Sequence, residues 1–214
     1  LPKRSYFLPK PQSFLHYLSE EKNLSYYNTH AQSFIQSTLN VDFTAIQNKF
    51  LDKLPAGAFI LDFGCGSGRD TRYFLDKGYR VEAIDGSEEL CRLAGEYTGI
   101  EVKCMLFQEL QDTDRYDAVW ACSSILHLTY DELITVLEKI ARALKDKGLL
   151  YTSFKYGTEE GERNGRYFTD MTEEKLTGLL DKVPDFEIEE QWITYDVRPG
   201  RGEEKWLNLF LRKK

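Results

Sequence analysis

The stretch ILDFGCGSGRD, Ile60 to Asp70, constrains the fold more than any other part of the chain. An apolar run of buried-strand length carries one acid, Asp62, and passes into glycines at 64, 66 and 68 before a polar, helix-forming segment. Strand, glycine turn and helix in this order open a βαβ unit. Glycine at this density removes side chains so that the backbone can press closely against a neighbour.

The remainder of the chain repeats the alternation. AFILDFG, YRVEAIDG, EVKCML, YDAVWACSS and GLLYTSFKY read as strands. Between them, SGRDTRYFLDKG and SEELCRLAGEYTG read as helices closed by Gly78 and Gly99. The helix after the fourth strand is the best marked. Thr129 and Glu132 have capping-box spacing, and Leu133, Val136, Leu137, Ile140 and Leu144 form one apolar stripe. Strands joined by helices at this spacing give right-handed crossovers and a parallel sheet, so the expected class is α/β, doubly wound.

After a polar loop, GTEEGERNGR, a helix is expected at TEEKLTGLLDKV. The strands FEIEEQWITYDV and KWLNLFLRK follow, separated only by RPGRGEE, which leaves no room for a crossover and makes them antiparallel neighbours. Upstream, THAQSFIQSTL and DFTAIQNKFLDKL have helical periodicity and read as an N-terminal helical cap. The expected organisation is a single domain over 1–214, with a cap or lid at 1–54 and a Rossmann-like core at 55–214.

Four neighbours of the glycine loop are conceivable: a dinucleotide, a nucleoside triphosphate, a sulfonium nucleoside, or nothing beyond a tight turn. A dinucleotide fingerprint needs glycine at 69, where the chain has Arg69, and a triphosphate loop needs a Lys that is absent. A second acid, Asp85, closes the next strand in AIDGS. Ligands of doubly wound sheets sit beyond the carboxyl ends of the strands, so Asp62 and Asp85 are both expected at that crevice. An acid after the second strand can accept both hydroxyls of a ribose.

ILDFGCGSG followed by AIDGS resembles the first two motifs of the class I S-adenosylmethionine-dependent methyltransferases, over about residues 55 to 155. The resemblance implies a seven-stranded sheet of order 3-2-1-4-5-7-6 with the seventh strand antiparallel. It implies S-adenosylmethionine as cofactor, held by Asp62, Gly64, Cys65, Gly66 and Gly68, with Asp85, Gly86 and Ser87 at the ribose; Arg69, which spoils the dinucleotide fingerprint, is placed to lie near the cofactor's carboxylate. Phe107 and Gln108 in LFQEL would flank adenine, and Ala121 in WACSS would lie under the methyl group. SFKYGTEEGERNGRYFTDMTEEKL and DVRPGRGEEKWLNLFLRK resemble a branch of small, stand-alone bacterial methyltransferases grouped with tellurite-resistance-type and other small-molecule enzymes. The resemblance implies a class without a substrate. Related enzymes place an aromatic from the N-terminal segment over the cofactor, and Tyr27 in SYYNTHA is the expected one.

Methyl transfer from a sulfonium requires mainly that the nucleophile be held in line in a dry site. An acceptor that must lose a proton needs a base. His127 in SSILHL is the best-placed candidate, against the plainer reading of a structural histidine; His16 and His30 lie in the cap. Arg163 and Arg166, with Arg198 and Arg201, fall in two loops that can converge on the substrate mouth and bind an anionic acceptor. Their glutamate neighbours offer the alternative of solvated turn charges.

A net charge of −7 opposes general binding of nucleic acid. The place after the fourth strand reads ACSS rather than the Asn/Asp-Pro-Pro-aromatic motif of DNA amino-methyltransferases. RNA or tRNA modification, protein methylation, and cofactor binding without turnover remain as alternatives to a small-molecule acceptor. Three scattered histidines and no acid cluster leave no metal site expected. Cys65, Cys91, Cys104 and Cys122 form no CxxC pair and read as reduced thiols of a cytoplasmic protein. Without an apolar segment of bilayer length or a secretory h-region, no membrane association is expected, and the oligomeric state is open.

Overall fold

The computed structural model describes residues 11–198 and 200–214, with side chains from residue 21 onward. The first ten residues of the expected cap and the side chain of His16 therefore lie outside the described residues.

Helices α1 (Pro11–Thr38) and α2 (Thr44–Leu51) precede β1 (Phe59–Phe63), α3 (Arg69–Asp76), β2 (Arg80–Asp85), α4 (Glu88–Thr98) and β3 (Val102–Cys104). Then come β4 (Tyr116–Ala121), α5 (Tyr130–Ala143), β5 (Leu144–Lys155), the short strands β6 (Glu160–Arg163) and β7 (Arg166–Thr169), α6 (Glu173–Leu180), β8 (Phe186–Tyr195) and β9 (Lys205–Lys213). Seven strands form one sheet in the order β3-β2-β1-β4-β5-β9-β8. The first five are parallel, and β9 runs antiparallel to both of its neighbours. This is the expected α/β topology, with β8 and β9 as the sixth and seventh strands of the main sheet.

Each face of the sheet carries its own core. Leu133, Val136, Leu137 and Ile140 of α5 pack with Leu150 and Leu209 on one face. The other face is largely aromatic, with Phe50, Phe74, Trp120, Tyr151 and Phe210 buried together, and Trp120 stacked on Tyr151 at 4.1 Å between centroids. The α5 start is the capping box read from the sequence: Glu132 N donates to Thr129 Oγ1, and Thr129 N donates to the Glu132 carboxylate. No helix among the described residues is long and apolar enough to cross a membrane.

Three local readings differ from the structure. The helix expected from residue 29 is the end of the much longer α1, kinked at His30 with φ −109° and ψ 15°. Polar and tyrosine-rich residues before the kink dilute the apolar period, although Leu24 and Tyr27 still point inward toward the sheet's ligand-binding end. The expected loop 157–166 contains a hairpin, β6 paired antiparallel with β7 around Asn164 and Gly165, at φ 52° and 75°. Asn-Gly is a strong hairpin turn; here the charged strand before it hid the signal. Leu144, counted in the α5 stripe, has left the helix at φ −73° and ψ 140° and starts β5.

Candidate functional site

A cavity of about 250 Å³ opens at the carboxyl ends of the parallel strands. The β1–α3 turn forms its floor. Gly64 and Gly66 have φ of +89° and +55°, and a Cβ on Gly64 would fall 2.5 Å from Ser124 Cβ. Glycine is thus required at 64 by both conformation and space. Gly64 N and Cys65 N both donate to Ile84 O at the end of β2, fixing the turn against its neighbouring strand. A Cβ on Gly66 would meet the Phe34 ring at 3.0 Å, which places α1 directly over this turn.

Asp85 holds the next position. Its Oδ2 accepts from Gly66 N and its Oδ1 from Ser87 N, each at 2.9 Å. The Gly86 amide also acts on the carboxylate, whose four lone-pair sites still leave capacity for a ligand donor. Burial raises the carboxyl pKa above its ordinary value, against the pull of the backbone donors. The carboxylate lines the cavity, where its remaining acceptor capacity suits ligand hydroxyls. Ser87 caps α4 by accepting from Leu90 N and donates its hydroxyl to Asn28 Oδ1 of α1 at 2.7 Å. Gly86 faces Leu24, where a Cβ would be 2.8 Å from Cδ2. Phe107 packs on Phe63 with centroids 4.7 Å apart, and Gln108 donates to Glu132 at 2.9 Å.

The cavity's far wall is an interlocked group from α1, the turn after β4, and β7. Tyr27 Oη lies 2.8 Å from His127 Nε2, and His127 Nδ1 lies 2.7 Å from Tyr167 O. A carbonyl only accepts, so Nδ1 carries the proton, Nε2 accepts, and the Tyr27 hydroxyl donates to it. Burial pushes the His127 pKa down to about 4, with Arg166 and Lys155 acting in the same direction, so the ring is neutral near pH 7. Burial likewise raises Tyr27, keeping it a donor. Asn23 ties the group together by donating to His127 O and accepting from Tyr167 N.

The sequence-predicted residues separate into two groups. Tyr27, Gly64, Cys65, Gly66, Arg69, Asp85, Gly86, Ser87, Phe107, Gln108, His127, Arg166, Arg198 and Arg201 line the cavity. Asp62, Gly68, Ala121 and Arg163 do not. Asp62 is buried beneath the turn, where it accepts from Thr71 Oγ1; burial and then the Asp70 charge push its pKa upward. Gly68 starts α3, and a Cβ there would approach Thr98 Cγ2 to 2.8 Å, so it serves helix packing. Ala121 is fully enclosed in the sheet.

Arg163 donates to both oxygens of Asp170 and faces away from the main cavity. Arg69 reaches the cavity but donates to both oxygens of Asp70 and stacks over Phe43. Arg198 is likewise committed to Asp196, and Arg201 stands 3.9 Å from Glu204. Residues missed from the sequence are Asn23, Leu24, Asn28 and Phe34 on α1, Ser153 and Lys155 on β5, and Phe168 on β7. The Asn-Gly turn signalled the hairpin, and the Arg163 and Arg166 pair its approach to the cavity. No group of metal-binding side chains occurs among the described residues.

Residues 60–148 match the family model of a methyltransferase domain. A 98-residue segment is 35% identical to the N-terminal Xaa-Pro-Lys N-methyltransferase 1 of Danio rerio, covering 42% of this chain and 44% of that protein. Similarity to the 2-methyl-6-phytyl-1,4-hydroquinone methyltransferase of Synechocystis is 31% over 126 residues, 56% of this chain and 39% of that one. The matches thus span less than half the length of these two relatives. Among solved structures, the 1,6-didemethyltoxoflavin-N1-methyltransferase of Burkholderia thailandensis, with bound 1,6-didemethyltoxoflavin and S-adenosylhomocysteine, superposes with TM-score 0.73 at 25% identity, over 98% of this chain and 93% of that one. A TehB-like methyltransferase from Corynebacterium glutamicum gives TM-score 0.64 at 19% identity, covering 96% of this chain and all of that one, a likeness of fold.

Proposed function

We propose that this chain is a class I S-adenosylmethionine-dependent methyltransferase that transfers a methyl group to a small organic acceptor enclosed between α1 and the β4 and β7 ends. The observation that carries this reading is the geometry of Asp85: a half-buried carboxylate anchored on backbone amides and facing the cavity, beside a turn stripped of side chains. Asp85 would take the ribose hydroxyls, Gly64 and Gly66 would let the amino-acid part approach the backbone, and Phe107 and Leu106 would flank the adenine. When bound, S-adenosylmethionine supplies an electrophilic methyl group with a good leaving group.

The chain's own residues then have to exclude water, orient the acceptor and deal with its proton. Phe34, Leu24 and Tyr27 of α1 cover the cavity, so the helix acts as the lid. His127 is less suited to take an acceptor proton directly than the sequence suggested, because its free nitrogen is filled by Tyr27 and its basicity is low. It holds Tyr27 in place, and the tyrosine hydroxyl is the group that meets the acceptor. The residues reserved for the acceptor lie on β5, β7 and the β8–β9 connection.

Isothermal titration with S-adenosylhomocysteine tests the assignment. The wild type is expected to bind it saturably, and Asp85→Ala to lose ~tenfold or more in affinity, the worth of one or two hydrogen bonds to a charged acceptor. Tight NAD binding with no S-adenosylhomocysteine binding would overturn the reading.

A further inference from the structure

Five cationic side chains line the cavity: Arg69, Lys155, Arg166, Arg198 and Arg201. Four face a carboxylate, namely Asp70 for Arg69, Asp196 for Arg198, and Glu204 for both Lys155 and Arg201. Arg166 has none among the described residues. Its one hydrogen bond runs from Nη1 to Tyr27 Oη at 3.3 Å, while Nε is buried without a partner. The guanidinium is held by rings instead, 4.5 Å from the Tyr26 centroid and 5.1 Å from that of Phe168.

A guanidinium has five N–H donors in a planar fork, and leaving them unmade in a partly desolvated site is costly. Aromatic faces attract the charge but satisfy none of the donors. The β6–β7 turn sets Arg166 rigidly, since it pairs with Arg163 across the Asn164–Gly165 turn, and Arg163 in turn is anchored on Asp170. A buried Nε without a partner, on a half-buried guanidinium that faces the cavity with no carboxylate beside it and is held between rings on a rigid strand, is the arrangement of a site whose missing acceptor comes with the ligand.

We infer that Arg166 is the specificity residue of the acceptor site and that the acceptor is an organic molecule bearing an oxyanion, which the guanidinium, held by the rings of Tyr26 and Phe168, receives on its cavity side. This rests on the methyltransferase reading for the word acceptor, but the anion site itself does not depend on it. The oxyanion is the anchor and not the methylated atom: Tyr27 Oη, bonded to Arg166, stands where the reacting part of the same molecule would lie. Of the arginines first expected to share this role, Arg163 and Arg198 are already neutralised.

The shared chemistry of carboxylate and phosphoryl groups fits the fork equally well, so the probes are benzoate, phenyl phosphate and uncharged benzamide, titrated into the full chain with and without S-adenosylhomocysteine. One of the two anions is expected to bind wild type ~tenfold or more tighter than benzamide, the worth of a charge-assisted pair. Benzoate in the lead assigns a carboxylate, phenyl phosphate a phosphoryl group. Arg166→Gln should abolish the preference and leave S-adenosylhomocysteine affinity within about twofold of wild type. Should that variant unfold, Arg166→Lys, which keeps the charge without the planar fork, must show a reduced preference.

Equal binding of all three probes by wild type overturns the proposal, as does a preference that survives in Arg166→Gln. Loss of S-adenosylhomocysteine binding in a folded Arg166→Gln also overturns it, by giving Arg166 to the cofactor. A wild type that binds no S-adenosylhomocysteine overturns the methyltransferase reading instead, and the titrations without it then decide Arg166 alone.

Discussion

His127 illustrates how little a residue's identity says about its state. The same imidazole that reads as a base from its place after the fourth strand is held as a neutral acceptor, protonated on the nitrogen that faces Tyr167 O. The consequence is measurable as stability. The ordinary histidine pKa in an unfolded chain is 6.5 and the folded value about 4, so between these the unfolded state binds more protons. Stability contributed by neutral His127 is complete above about pH 6.5 and is lost as pH falls toward 4, amounting to about 3 kcal/mol from the width of that window. In His127→Asn, which can still donate to Tyr167 O but does not titrate, thermal melts between pH 6.5 and 4 should show a shallower fall than wild type. An unchanged slope would mean that other groups dominate the acid transition.

At the scale of elements, the cavity is made by two pieces laid on an otherwise regular sheet. Helix α1 supplies Leu24, Tyr27, Asn28 and Phe34, and the β6–β7 hairpin supplies Arg166 and Phe168. They are coupled, because Asn23 and Tyr27 of α1 bond to Tyr167 and Arg166 of β7. The hairpin depends on Asn164 at φ 52°, a left-handed conformation that asparagine tolerates and alanine resists. Asn164→Ala should cost about 1 kcal/mol in a denaturant melt. Asn164→Gly should cost much less, and affinity for an anionic probe should fall in the alanine variant more than affinity for S-adenosylhomocysteine. Parallel losses of both ligands would show that α1 and the hairpin open as one unit.

For the whole molecule, the carboxyl ends of β1, β2 and β4 gather residues distant in sequence, so a ligand there stabilises the fold as a unit. Saturation at about a hundredfold over Kd adds about 2.7 kcal/mol. S-adenosylhomocysteine should therefore raise the melting temperature in a concentration-dependent way that NAD does not reproduce. Lack of any shift at ligand concentrations far above the titrated Kd would contradict binding in the native cavity.

The sequence by itself determined the sheet and one half of the site. Apolar strands, glycine-closed helices and a capping box are local signals set by periodicity and hydrogen-bonding geometry, which is why the strands, the crossover helices and the α5 start were legible, while the full strand order followed from the family resemblance. The glycine turn and Asp85 were legible for the same reason: each sits at a strand end whose place in the sheet the alternation dictates. Tertiary structure decided the other half. Whether an arginine is paired or available depends on which carboxylate the fold lays beside it, as Asp170 does for Arg163 across the hairpin, while Arg166 on the same hairpin has none among the described residues. Likewise the protonation of His127 follows from a carbonyl 40 residues away and a tyrosine 100 residues away. Pairings over such separations are settled only when burial removes the water that would otherwise satisfy every one of these groups alike.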